Sequence, residues 1–389
     1  MRKGDETMHK TYCFKLYKHR RNKHLHAQID LASQIYNHCI ALHKRYYRLH
    51  KKHIHLYAMQ KHITKLKKLR KYNHWRLLNA QAIQNIAERI EHGYQLFFRN
   101  LKAESRRRVA PPSFRKRHKY KSFTLKQTGY KLLDDDRIRI GKRIFKYFKS
   151  REIEGRIKTL TLKRDTLGDI YLYFSCELPD AQPSRTMTGK IAGFDFGLKT
   201  FLTASDGKQI EMPLFYRQGQ RKLAQAQRRV SSKKRGSNNR KKAVANLARV
   251  HKKIANQRRD WQFKKARELS EIYDFMFFED LNLVGMKALW GRKVSDLGFW
   301  SFIQILGHMA SKLGSQVGMV DRYFPSTQLC SSCGTLNSDL KDLRIRSWVC
   351  DCGATHDRDH NAAVNILLEG ASSSGLGDVR PALQLAIAV

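Results

Sequence analysis

Three short stretches of this chain each carry an acid where an acid is costly. In residues 189–205, GKIAGFDFGLKTFLTAS, Asp195 stands between Phe194 and Phe196 in an apolar run, and Gly197 lets the chain turn back into a second apolar run. A carboxylate in a strand loses water there and must be paired, hold a metal or sit at a frayed, solvated end. Glu279 closes the wholly apolar run of residues 275–278, whose pattern is that of a strand buried on both faces. In residues 356–367, HDRDHNAAVNIL, Asp357 and Asp359 precede Ala362, Ala363, Ile366 and Leu367 at helical spacing. Asp359, at the start of that helix, could equally cap backbone amides. Three carboxylates converging on one sheet edge would repel one another unless divalent cations neutralised them, and hard oxygen ligands suit magnesium or manganese. Two such ions can activate a water and stabilise the leaving oxygen of a phosphodiester, which is nuclease chemistry.

A second group is made of sulfur. Cys330 and Cys333 form a C-x-x-C pair, Cys350 and Cys352 a C-x-C pair, and Gly334 and Gly353 follow them. Two such pairs fit a zinc ribbon, with four thiolates around one tetrahedral zinc ion and glycines permitting the tight turns. The second pair is one residue short, so His356 stands as an alternative to Cys352. The remaining Cys13, Cys39 and Cys176 are scattered, which argues against a disulfide framework.

The elements that must position these residues are legible as changes of period. Residues 11–18 alternate as a strand; from Leu25 onward Ile29, Ala32, Ile35, Tyr36, Cys39 and Leu42 recur at helical spacing. Ile83, Ile86, Ile90, Tyr94, Phe97 and Phe98 form a second apolar stripe. Pro111 and Pro112 break a basic connector at 106–117, and four short alternating runs follow at 122–125, 137–140, 156–162 and 170–176. The expected organisation is therefore α/β and multidomain. A β-barrel is expected from residues 1–24 and 106–182, with a helical insertion at 25–105. A mixed sheet with helices at 183–369 carries the acids, the ribbon at 326–355 lies within it, and a flexible tail spans 370–389. Residues 221–259 read as two helices broken at Gly236-Ser237.

Charge points to the partner. Lys and Arg number 77 against 33 Asp and Glu, a net charge of +44, and such an excess would repel itself in a compact state without a polyanion. The basic helical hairpin supplies Arg228, Arg229, Lys233, Lys234, Arg235, Arg240, Lys241, Lys242, Arg258 and Arg259 as candidate nucleic-acid contacts. No apolar run is long enough to span a bilayer and no signal-peptide core is evident, so the expected location is the bacterial cytoplasm, with the nucleoid.

Taken in order, GFDFGLK, FFEDLNL, CSSCG, CDCG and HDRDHNAAVNI resemble the RuvC-like nuclease domain of TnpB proteins, which bacterial insertion sequences encode and which are relatives of type V CRISPR effectors. FKLYK, IYN, LNAQAIQNI, PPSFRKR, GSNNRKK and NQRRDWQ resemble further segments of that family. The resemblance implies an RNase H-like nuclease fold and an RNA-guided DNA endonuclease. A transposon-end RNA would guide it, and a short motif beside the target would be read by the wedge-like barrel and helical recognition insertion. It implies Asp195, Glu279 and Asp359 as magnesium-binding catalytic acids, Asp359 being preferred to Asp357 by its spacing from Asn361. The four cysteines would hold structural zinc, and Arg358 becomes a candidate phosphate ligand. Guide pairing would select sequence, leaving the protein to hold backbones with positive charge. The alternatives are an RNA-guided repressor that does not cut, and an RNA-independent resolvase or transposase of the same fold.

Overall fold

A computed structural model describes residues 8–103, 109–133, 136–178, 185–342 and 344–377. The expected connector at 106–117 and tail at 370–389 fall partly outside them. The chain divides into two units, Met1–Ala181 and Gln182–Val389.

In the first unit β1 (Met8–Lys15) leads into α1 (Asn22–His50), α2 (Leu56–Leu66) and α3 (Ala80–Lys102). The strands β2 (Ser122–Leu125), β3 (Tyr130–Leu132), β4 (Arg137–Ile140), β5 (Arg143–Lys146), β6 (Arg156–Arg164) and β7 (Ile170–Leu178) follow. The apolar stripe of α3 is buried from Ile83 to Tyr94, whereas Phe98 is exposed. Helices and strands share one core: Ile29, Ile35 and Ile86 belong with Phe123, Leu160 and Phe174.

The expected barrel does not close. The strands form an open sheet in the order β1-β7-β6-β2 and a separate sheet β3-β4-β5, touching through the bridge Leu16–Tyr147. One reason lies beyond β2, where the backbone amides of Lys126 and Thr128 both donate to Gln81 Oε1 on α3. A side chain of α3 takes donors that a closing strand would have needed.

The second unit is built on a mixed sheet, β10-β9-β8-β11-β12. Its strands are β8 (Ile191–Asp195), β9 (Leu202–Ala204), β10 (Gln209–Ile210), β11 (Phe275–Glu279) and β12 (Gln316–Val320). β8, β11 and β12 run parallel, β9 pairs antiparallel with β8, and β10 pairs antiparallel with β9. Between β10 and β11 stand α4 (Phe215–Ser231) and α5 (Asn238–Ile272), and between β11 and β12 α6 (Leu283–Leu297) and α7 (Phe299–Leu313). β13 (Ser347–Val349), β14 (Thr355–Asp357) and α8 (Arg358–Ser373) complete it.

The apolar run of β11 is buried on both faces as its composition requires. Met276 and Phe278 join Phe194, Leu269, Phe302 and Leu306 on the side of α5 and α7, while Phe277 joins Ile366, Leu367 and Ala371 of α8. Helix α8 continues past the expected boundary at residue 369: Gly370 and Ala371 are buried, because Gly370 is where the Phe277 ring lies against the helix.

α8 also lies so close to β8 that a Cβ at Gly193 would run into the Ala363 carbonyl and the Leu367 amide. Gly193→Ala is therefore expected to destabilise this unit by about 1–3 kcal/mol, the usual cost of overpacking. Denaturant unfolding of the two proteins side by side checks this; an unchanged midpoint would show that the helix yields freely.

At the opposite ends of β8 and β11 the buried Asp274 accepts from the Gly189 amide at 2.6 Å and from the Arg185 guanidinium. Arg185 also donates to Ser315 Oγ at 2.8 Å, so the chain entering β8 is fastened to the starts of β11 and β12.

Candidate active site and metal centre

β8 and β11 are adjacent and parallel, with Phe194 opposite Phe278, so Asp195 and Glu279 emerge side by side from the carboxyl ends of the two strands. In open α/β sheets that edge is where ligands bind. Asp359 joins them from the first turn of α8, which is anchored by His360 Nε2 3.1 Å from the Ser205 carbonyl at the end of β9. The capping function open to Asp359 falls instead to Asp357, whose carboxylate accepts from the His360 amide at 2.9 Å. Asp359 is thereby left to face the other acids.

The cluster is electrostatically strained. Burial, then the charges of Asp359 and Glu279, push Asp195 up to about 7, against a smaller pull from Arg358. Burial and then the neighbouring Asp280 push Glu279 up to about 7. Crowded carboxylates that resist ionisation are a donor set for a hard divalent cation, which would supply the missing positive charge.

A consequence for stability follows. The folded chain keeps protons on Asp195 and Glu279 up to pH about 7, whereas the unfolded chain releases them near pH 4. The folded state thus binds more protons across that window, so magnesium-free protein should lose stability as pH rises from about 4 to about 7. The loss is on the order of 3 kcal/mol per carboxylate. Melting temperatures at pH 5 and pH 8 test this. The wild-type fall should shrink in Asp195→Asn/Glu279→Gln, and magnesium should raise the wild-type value more at pH 8. Equal falls in both proteins would reject the account.

Sequence reasoning passed over Arg346. Its guanidinium lies 3.1 Å from Asp359 Oδ1, a cation set directly on the acid of α8. Backbone pairing explains the placement: β13 and β14 pair with Ser347 opposite Asp357, and the Arg358 amide donates to the Arg346 carbonyl at 2.8 Å. Arg358, the candidate phosphate ligand, is itself 5% exposed, and its guanidinium donates to the Asp342 carbonyl at 3.0 Å. It buttresses the loop that carries Arg346 and does not face solvent.

Beside the acids, Cys330, Cys333, Cys350 and Cys352 bring their sulfurs within 4.8 Å of one another. Cys330 and Cys352 are 3.8 Å apart, Cys333 and Cys350 3.6 Å, close to the roughly 3.8 Å edge of a tetrahedron of thiolates around zinc. Each knuckle is a hydrogen-bonded turn, Gly334 donating to Cys330 and Gly353 to Cys350, both at 2.8 Å. Both glycines have positive φ (78° and 85°), as tight turns of this kind require. The short C-x-C pair therefore still delivers Cys352.

Thr335, through its hydroxyl and amide, draws Cys333 down to about 6. The Cys352 amide favours a thiolate at Cys350, but burial and the three other sulfurs outweigh it and push Cys350 up to about 12. One negative sulfur suppresses the others, and a divalent ion would relieve that conflict. The four cysteines can thus hold a metal. His356 lies 3.1 Å from Cys330 Sγ and packs on Trp348.

Two buried asparagines of α8 join the two centres. Asn361 accepts from the Ser331 amide at 2.9 Å and donates to the Leu329 carbonyl at 2.7 Å; Asn365 donates to the carbonyls of Ser326 and Leu329 at 2.8 and 2.7 Å. The first cysteine knuckle is thus riveted to the helix that carries Asp359.

The basic hairpin forms as its period suggests, α4 and α5 separated at Gly236, with Ser237 capping α5 through the Arg240 amide. Arg228, Arg229, Lys233, Lys234, Arg235, Lys241, Lys242 and Arg259 are exposed. Arg240 and Arg258 are partly buried, donating at 2.8 Å to the carbonyls of Val230 and Ser295 respectively. Those two brace the hairpin. Among the described residues, no helix is long and apolar enough to cross a membrane.

Comparison with known proteins agrees with this arrangement. Residues 173–289 match a family described as "Probable transposase" (OrfB_IS605), and residues 299–366 one described as "Cas12f1-like, TNB domain". A "Putative RNA-guided DNA endonuclease" of Streptomyces pristinaespiralis is 39% identical over 57% of this chain and 56% of its own length, so the match spans little more than half of that relative. The "Putative RNA-guided DNA endonuclease InsQ" of Escherichia coli strain K12 is 28% identical over 77% of each. A Cas12f1 chain solved with guide RNA and target DNA superposes with a TM-score of 0.57 at 12% identity, covering 92% of this chain and 98% of that one, a likeness of fold. The segments that carry Asp195 and Glu279 and those that carry the four cysteines and Asp359 are thus matched in order, and it is proteins of the TnpB kind that the chain resembles.

Proposed function

We propose that this protein is an RNA-guided DNA endonuclease of a transposon. It would bind an RNA derived from the transposon end, read a short motif beside its target and hydrolyse DNA phosphodiesters at Asp195, Glu279 and Asp359. The observation that carries the proposal is the meeting of these acids at one sheet edge, with Asp195 and Glu279 both held near 7 by burial and neighbouring charge. Magnesium or manganese, when bound, would supply an activated water and stabilise the leaving oxygen. Asp195 and Glu279 offer oxygens from rigid strand ends; Asp359 offers its own from α8, after release by Arg346, whose guanidinium is then free to meet a phosphate.

The four cysteines would hold one structural zinc ion that fixes the loop bearing Arg346. The +44 charge supports a polyanionic partner, and the exposed cations of α4 and α5 are its proposed backbone contacts. No observation favours a guided repressor, which would not need the acids to converge.

The test co-expresses the protein with RNA transcribed from the 3′ flank of its gene and exposes it to a DNA library with randomised flanks and magnesium. Guide-matched cutting that also reveals a flanking motif is the expected result. RNA binding without cutting would favour the repressor, and cutting without RNA the resolvase. Charge-neutral substitution of Lys233, Lys234 and Arg235 should weaken RNA binding and flatten its salt dependence; unchanged affinity would remove the hairpin from the interface.

A further inference from the structure

In the first unit, an antiparallel bridge joins Leu16 to Tyr147, both buried, so the alternation of strand side chains turns residues 15, 17, 146 and 148 outward. Tyr17 and Phe148 are diagonal neighbours on that outer face. Their rings stack, centroids 3.7 Å apart and planes 24° from parallel, yet they remain 39% and 47% exposed. Backbone bonds clamp them from both sides, the Tyr17 amide donating to Lys146 and the Phe148 amide to Lys15 at 2.9 and 2.8 Å. Single exposed aromatics are unremarkable on a protein surface. A rigid, stacked pair held open to water is a different object, because it presents a flat π-face at little entropic cost.

Its surroundings are cationic. Tyr17 lines a cleft of ≈ 430 Å³ together with Lys18, Arg21, Arg137 and Lys146, and the Lys146 ammonium lies 5.6 Å from the Tyr17 ring centroid. Asp136 and Asp169 pair with Lys146 and with Lys15 and Lys18, but cations outnumber them. The cleft also adjoins the start of α1, whose first turn contains no acid.

We propose that the Tyr17–Phe148 pair is a stacking platform for an unpaired base of the bound RNA, with Lys18, Arg137 and Lys146 holding the adjoining phosphates. Stacking needs a base already out of a duplex. Loops and bulges of a folded RNA present such bases, whereas duplex DNA would first have to be opened. The assignment rests on the RNA-binding reading above and adds to it a specific subsite.

The experiment uses the full chain and RNA from the 3′ flank of its gene carrying 4-thiouridine. Photo-crosslinking followed by peptide mapping should place adducts at Tyr17 or Phe148. Tyr17→Ala/Phe148→Ala should bind that RNA about tenfold more weakly, with an unchanged slope of affinity against salt, because no charge is removed. Lys18→Gln/Arg137→Gln should reduce the slope instead. Phe148→Tyr should restore binding, and Phe148→Leu, which keeps an apolar side chain, should not; melting curves confirm that each variant is folded. Wild-type RNA binding that survives ring removal, with no adduct at either residue, would overturn the platform and leave the RNA reading standing. Stronger adducts with a thymidine oligonucleotide carrying 4-thiothymidine would overturn its assignment to RNA. Failure of the wild type to bind any RNA would overturn the underlying reading, and the platform with it.

Discussion

Alanine in place of Asp195, Glu279 or Asp359 is expected to lower magnesium-dependent DNA cleavage at least about 10³-fold, which corresponds to roughly 4 kcal/mol of transition-state stabilisation. RNA binding should change little, because the acids repel a polyanion and contribute nothing to holding it. The three losses should not add: a double variant should be about as inactive as either single one, since the residues act on the same ions. Thermal stability should move the other way. Asp195 is pushed up to about 7 by burial and by its two acidic neighbours, so above that pH Asp195→Ala removes a buried, repelled charge and should raise the melting temperature of magnesium-free protein. A variant that melts earlier and cuts normally would remove Asp195 from the site. Asp357→Ala provides the contrast. It deletes the α8 cap, costs about 1 kcal/mol and should leave most of the cleavage intact.

The second large effect concerns the cysteines. One zinc ion per chain is expected by elemental analysis, and Cys330→Ser or Cys333→Ser should release it. Structural zinc in small domains contributes on the order of 10 kcal/mol, so the ribbon at 326–355 should unfold without it. The consequence should reach the acids, because Asn361 and Asn365 tie the first knuckle to α8 and Arg358 braces the loop of Arg346. Cleavage should therefore fall with the zinc content, while the first unit, which has its own core, keeps its structure. Cys352→Ser discriminates between the fourth ligands. Its sulfur lies in the four-cysteine group, so this substitution should lose zinc while His356→Ala retains it. The opposite outcome would make the histidine beside Cys330 the ligand.

The strand acids were legible because each broke a local rule, a carboxylate ending a run that otherwise demands burial, and no short-range interaction could excuse it. The cysteine pairs were legible for a similar reason, since thiols at knuckle spacing have few other uses. Between Asp357 and Asp359, the resemblance preferred Asp359 by its spacing from Asn361. They are two residues apart at a helix start, and the cap geometry decides which one turns inward.

The barrel was misjudged because alternation marks strands without saying which edges meet, and here Gln81, remote from β2 in sequence, takes the amides beyond it. The end of α8 was placed early because a Gly/Ser-rich stretch reads as loop. Tertiary contact with Phe277 keeps Gly370 in the helix.

By itself, then, the sequence picked out the three acids, the four cysteines, the longer helices and strands, and the cationic excess. These are properties of residue type and of spacing within about ten positions, where chain geometry leaves few options. Only the tertiary structure decided the pairing of Arg346 with Asp359, the diversion of Arg358 to a structural role, the riveting of ribbon to helix by asparagines and the stacking of Tyr17 on Phe148. Each depends on strand pairing or helix packing between distant segments. The free energy of such contacts is set by which surfaces close-pack, a quantity no local pattern records.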